Sequence, residues 1–76
     1  MGPLEVRSTQ ELGAAIRSFR RERGLSQAEL ASWLGTNRFT IHRLEAGGPV
    51  GLPLALAALT FLGRSVVLTP RVTPDG

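Results

Sequence analysis

The sequence predicts an all-α domain of four or five short helices, with one short β-strand near its C-terminal end. Three observations carry this prediction. Helix-starting residues stand at Ser8, Ser26 and Asn37, each ahead of a run with apolar residues at helical spacing. Glycines at 24, 35, 47 and 63 punctuate those runs. Arg64-Ser65-Val66-Val67-Leu68-Thr69 is rich in β-branched residues and bounded by Gly63 and Pro70, which reads as a strand.

Ser8-Thr9-Gln10-Glu11 has the form of a capping box, in which the serine hydroxyl and the glutamate carboxylate each take up the other's free backbone amide. It should start the first helix. Leu12, Ala15, Ile16 and Phe19 mark its buried face, and Gly24 ends it, with Arg20, Arg21 and Arg23 placed well against the negative end of the helix dipole. Ser26-Gln27-Ala28-Glu29 is a second capping box. The second helix runs to Leu34, with Leu30, Ala31 and Leu34 inward, and Gly35 can turn left-handed at its end. Asn37 is the N-cap of the third helix, whose inward residues are Ile41 and Leu44; Ala46-Gly47-Gly48 closes it.

After a loop at Gly48-Pro49-Val50-Gly51, Pro53 suits the first turn of a fourth helix reaching Leu62. Only Thr60 in that helix is polar. A helix apolar all round should be buried all round, which so small a domain cannot easily do alone, so a subunit or partner surface is expected there. The strand, in turn, has no obvious partner except Leu4-Glu5-Val6-Arg7 or the same segment of a second subunit. The chain therefore divides into an N-terminal arm (1–7), a helical domain (8–63) and a C-terminal strand with a loose tail (64–76).

Composition narrows the function. With 76 residues the chain forms one domain that buries only ~60% of its unfolded surface, a marginal core that a second subunit would support. There is no cysteine, so neither a disulfide nor a thiolate metal site is available. The formal net charge is +3 and all nine basic residues are arginine. Arginine suits phosphates and guanine edges, but codon usage alone explains the lack of lysine, so position must carry that reading. The apolar stretch from Val50 to Leu62 is far short of the ~20 residues a membrane span needs, and no secretory leader is visible, so a cytoplasmic location away from membranes is expected. One histidine, no tyrosine and a single aspartate in the tail offer no nucleophile–base arrangement. No enzyme activity, metal or cofactor is expected.

The second and third helices are separated by so short a turn that they must cross steeply. The third carries Arg38, Phe39, Thr40, His42 and Arg43 away from its apolar stripe. A short helix with exposed arginines, held at a fixed angle by the one before it, is a device for reading the DNA major groove.

The run from Leu12 to Glu45 resembles the helix-turn-helix domains of the phage-repressor-like (Xre/Cro) family, with a lambda-repressor-like fold. The resemblance lies in Leu12-Gly13, Ile16-Arg17, Arg20, Gly24-Leu25-Ser26-Gln27, Glu29-Leu30-Ala31, Gly35, Ile41, Leu44-Glu45 and Gly47. The opening Arg7 to Leu12 and the ending Leu62-Gly63-Arg64-Ser65-Val66-Val67-Leu68-Thr69-Pro70-Arg71 look like HipB-type antitoxins. That narrower resemblance implies a homodimer in which the C-terminal strand pairs with its twofold mate, a palindromic double-stranded DNA operator, and a HipA-type kinase toxin as partner. It places Leu59, Val66, Val67 and Leu68 at the dimer surface. The glycine-rich loop before the fourth helix is about one residue shorter than is usual in the family, and that helix lacks the family's charged positions.

The resemblance also implies roles for single residues. Gln27 stands where relatives hydrogen-bond a DNA phosphate and often the contact residue of the following helix, at a place to which free helix amides also draw phosphate. Arg38, Phe39 and Arg43 fall at base-reading positions; Thr40 and His42 are expected to touch phosphate or an adjacent base. Asn37 is a cap first and a phosphate contact second. Arg20 and Glu45 match positions that form an ion pair tying the first helix to the end of the reading helix. The competing readings are a solvated face for the arginines, an interface for Phe39, and a solvated or partner-facing His42. Trp33 lies outside the inward face of its helix and either packs under the N-terminal segment or stands exposed as a partner anchor. Two alternatives to the antitoxin stay open: a phage-type repressor with no toxin partner, and a protein-interaction module that uses the same scaffold without DNA.

Overall fold

The computed structural model describes residues 4–68 and 70. Four helices follow one another as α1 (Thr9–Glu22), α2 (Gln27–Leu34), α3 (Arg38–Glu45) and α4 (Leu52–Phe61).

Their starts are set by side chains that take up otherwise free backbone amides. At α1 the Ser8 hydroxyl accepts from the Glu11 amide at 3.1 Å. The other half of the expected box is displaced: Glu11 Oε1 accepts from the Arg7 amide at 2.6 Å, one residue earlier than Ser8. Ser8 is extended (φ −151°, ψ 164°), and the carboxylate reaches past it to hold the arm. The box at α2 is complete, with Ser26 accepting from the Glu29 amide and Glu29 from the Ser26 amide at 3.0 and 2.8 Å. Asn37 caps α3. α4 begins at Leu52, one residue before the expected Pro53; a proline in the first turn forfeits only an amide that has no helical partner.

The turn between α2 and α3 depends on Gly35, whose φ of 70° is left-handed. A side chain there would meet its own backbone, a strain that only glycine avoids. The reversal lets the Thr36 amide close onto the Ala31 carbonyl at 2.9 Å, and Asn37 follows directly as the next cap.

Two apolar clusters hold the helices. Ile16, Leu44, Ala55, Ala58, Leu59 and Leu62 join α1, α3 and α4, while Leu30, Ala31 and Ile41 join α2 to α3. Leu34 and Phe61 border both. Ile16, Leu30 and Ile41 are fully buried, each worth ~1.5–3 kcal/mol. α1 meets α3 almost backbone to backbone, because Gly13 lies against the carbonyls of Leu44 and Glu45.

α4 buries only one side. Ala55, Ala58 and Leu59 face the core, while Leu52 and Leu56 are exposed. Leu59, at 9% exposure, packs into the chain's own core, and the outward ridge is Leu52 and Leu56. Leu59 nevertheless lines a groove between α4 and the following segment, together with Leu56, Thr60, Arg64 and Val66.

Arg64 fastens that segment to α1. Its guanidinium carbon sits 4.0 Å from the centroid of the Phe19 ring, and its Nη2 lies 3.8 Å from Glu22 Oε1. Residues 64–68 have no regular secondary structure, and Val66, Val67 and Leu68 are exposed. The expected strand needs a pairing partner, and no other described segment is paired with this one. Thr69 and the tail 71–76 lie outside the described residues.

Candidate nucleic-acid interface

At ~100° per residue, Ile41, Leu44 and Glu45 share one side of α3 and are buried. Phe39 and Arg43 stand opposite them with His42 beside; Arg38 and Thr40 take the two flanks. Burial follows this placement: Arg38, Phe39, His42 and Arg43 are exposed and Thr40 is half-buried. Glu45 is the single acid on α3 and is turned inward, so the outward face carries arginine, histidine and phenylalanine without a carboxylate.

Both ends of this face are fixed. At the start, Asn37 Oδ1 accepts from the Thr40 amide at 3.0 Å and from the Thr40 hydroxyl at 3.1 Å. The Thr40 hydroxyl thus donates into the cap and keeps only its acceptor side for another contact. At the far end, Arg20 Nε donates to Glu45 Oε2 at 2.6 Å and Arg20 Nη2 to Glu45 Oε1 at 2.9 Å, a two-pronged pair. Arg20 Nη1 also donates to the Leu25 carbonyl at 2.7 Å, just before α2.

Gln27 joins this network, which the sequence did not reveal. Its Nε2 donates to Glu45 Oε1 at 3.0 Å, so the residue expected at phosphate is anchored first to the end of α3. One amide proton and the side-chain oxygen remain for an outside contact. Burial pushes the Glu45 carboxyl upward, but hydrogen bonds from Arg20 and Gln27 and the charges of Arg20 and Arg17 outweigh it and hold the group below the usual carboxylate range. The hydrogen bond to Glu45 raises Arg20 in return, against the opposing effect of burial. Every buried side-chain nitrogen and oxygen among the described residues has a partner.

Two aromatic placements complete the surface. Phe39 is 68% exposed, with the Arg38 guanidinium carbon 5.1 Å from its ring centroid. Trp33 is 69% exposed and stacks one face on Phe61, with centroids 5.6 Å apart. Of the two placements left open for Trp33, the structure therefore gives the exposed one, supported from beneath by α4. Among the described residues no group of three His, Cys, Asp or Glu side chains is placed to hold a metal, and no helix is long and apolar enough to cross a membrane.

A capped scaffold helix, a glycine turn and a second capped helix with an arginine-bearing outer face are the parts of a helix-turn-helix unit. A helix-turn-helix domain family model matches residues 11–72, and the chain belongs to that family. Among solved structures, a complex of a serine-to-alanine variant of HipB with an O2 20mer is similar with a TM-score of 0.80 and 27% identity, over 91% of this chain and 97% of that one. The HipB–O4 20mer complex gives 0.79 and 26%, over 90% and 97%. No curated protein matches the chain.

Proposed function

We propose that this protein is a sequence-specific DNA-binding repressor, the antitoxin of a HipA-type kinase toxin–antitoxin pair, which binds a palindromic operator as a homodimer. The outward face of α3 carries the proposal: it sets Arg38, Phe39, His42 and Arg43 on one side of a helix that is fixed at both ends, and that side has no carboxylate. In this reading α3 enters the major groove, Arg38 and Arg43 grip guanine edges, and Gln27, Asn37 and Thr40 reach phosphates or neighbouring bases. Two such helices, one per subunit, read half-sites about 34–36 Å apart. Val66, Val67 and Leu68 pair with their mates, beside the apolar ridge of Leu52 and Leu56. The similarity to the HipB complexes supports the antitoxin part of this reading.

Fluorescence anisotropy with DNA from upstream of the protein's own reading frame tests it. Affinity should fall steeply between roughly 50 and 200 mM salt as phosphate contacts release counterions. Arg38→Ala and Arg43→Ala should each weaken binding about 5- to 150-fold, the value of one bidentate base contact. Binding that is absent, or insensitive to both salt and these substitutions, would remove the DNA-reading role. Exposed Trp33 favours a second reading, a protein-docking module. Under that reading the arginine variants keep their partner, and Trp33→Ala loses it.

A further inference from the structure

We infer that Arg38 and Phe39 read DNA as one stacked unit, which recognises a guanine with a thymine methyl group in the adjoining base pair. This rests on the DNA-reading role of α3 and adds the sequence class that α3 takes.

Phe39 belongs to neither apolar cluster, and its ring is open to solvent on a polar face. What it holds within the chain is Arg38, whose guanidinium carbon lies 5.1 Å from its centroid. Among the described residues Arg38 has no carboxylate partner. A guanidinium resting on a ring loses freedom in its flat face but keeps its edge donors available, and those donors match guanine O6 and N7 in two parallel bonds. Once the guanidinium lies in the plane of a guanine, the ring stacked on it occupies a neighbouring layer. Base pairs are themselves layers about 3.4 Å apart, and a ring centred 5.1 Å from the guanidinium carbon reaches past the guanine's own layer to the adjoining pair. In the major groove the apolar group presented there is the C5-methyl of thymine. The two contacts are therefore coupled: the ring that covers the methyl also aims the arginine.

The full-length chain should enrich, from a randomised pool of short duplexes, a half-site with a G·C pair beside an A·T pair. Replacing that thymine by uracil should weaken wild-type binding about fourfold, the value of one buried methyl-sized group. Replacing the guanine by 7-deazaguanine, which lacks N7, should weaken it about 5- to 150-fold. Phe39→Ala should bind the thymine and uracil duplexes equally and also lose part of the guanine discrimination. Phe39→Leu should keep the methyl effect while losing the guanine part, because it is apolar but not flat. Both positions are exposed, so thermal melts that match wild type identify these as effects on reading. A silent uracil substitution, an enriched motif without the step, or a full 7-deazaguanine penalty surviving in Phe39→Ala would overturn the stacked unit alone. Failure to enrich any duplex would overturn the DNA-reading role and this inference with it.

Discussion

Replacing Gly13 by alanine sets two effects of known size against each other. An added Cβ would stand 2.5 Å from the carbonyl oxygens of both Leu44 and Glu45 and 2.7 Å from the Glu45 carbonyl carbon. All three are backbone atoms, so no rotamer change relieves the contact. Separation to an ordinary ~3.5 Å would move α1 and the end of α3 apart by about 1 Å. Overpacking of this kind costs ~1–3 kcal/mol. Against it, alanine is the better helix former by ~1 kcal/mol. The clash should outweigh the gain, leaving a net loss of up to about 2 kcal/mol. At roughly 4–8 °C per kcal/mol for a domain of this size, the melting temperature should fall by up to ~16 °C. Circular dichroism melts at one fixed protein concentration measure this, since any dimerisation makes the midpoint depend on concentration. Ala14→Gly, at the exposed neighbouring position of α1, supplies the propensity difference by itself. A Gly13→Ala melting temperature above wild type, by the amount that Ala14→Gly loses, would refute backbone contact between α1 and α3.

Glu45→Ala leaves the Arg20 guanidinium buried without its partner and should cost about 3–5 kcal/mol, read from urea unfolding; Glu45→Gln keeps an acceptor and should cost less. Because the folded Glu45 carboxyl is held below its ordinary range, its contribution is present above the unfolded value near ~4.3 and is lost as pH falls through the lower folded value. Melts taken downward from neutral pH should show that acid loss in wild type, and a shallower one in Glu45→Gln. Asn37→Ala removes the acceptor for both the Thr40 amide and hydroxyl and should destabilise by ~1 kcal/mol in the same urea assay, whereas Asn37→Asp should retain most of the cap.

The parts of this fold that were legible in advance are those written by local chemistry. Ser26 with Glu29, Gly35 and Asn37 each determine the conformation of their own few residues, and α2 starts and ends, and α3 starts, where those residues place them. The outward face of α3 was legible by subtraction, since Ile41 and Leu44 fix the inward stripe. What escaped depends on residues far apart in sequence. Glu45 is shared by Arg20, 25 positions away, and Gln27, 18 positions away, so no local pattern announces that Gln27 is already engaged. Leu59 looked as available as Leu56 in an unbroken apolar run, and only packing against Ile16 and Leu62 separates the two. The displaced cap at Glu11 escaped for a different reason: the carboxylate takes the Arg7 amide, one residue before the amide that the box pattern names.

α3 has eight residues, fewer than the ~12–15 at which an isolated helix becomes even marginally stable in water. Its helicity must therefore be imposed from outside, and the outward face adds little to it: Arg38, Phe39, His42 and Arg43 are exposed, Arg38 lies over the Phe39 ring, and the Arg43 stem rests against Gly48. The work falls to the two ends and the inner stripe: Asn37 at the start, Glu45 at the finish, and Ile41 with Leu44 between them. This division leaves the outer positions open to change. Substitutions at 38, 39, 42 and 43 alter what the helix presents without touching what makes it a helix. Substitutions at 20, 27, 37 and 45 act the other way, moving or loosening the helix while leaving its surface residues in place. A variant at Gln27 should thus weaken every half-site together, whereas one at Arg38 should change which half-site is preferred.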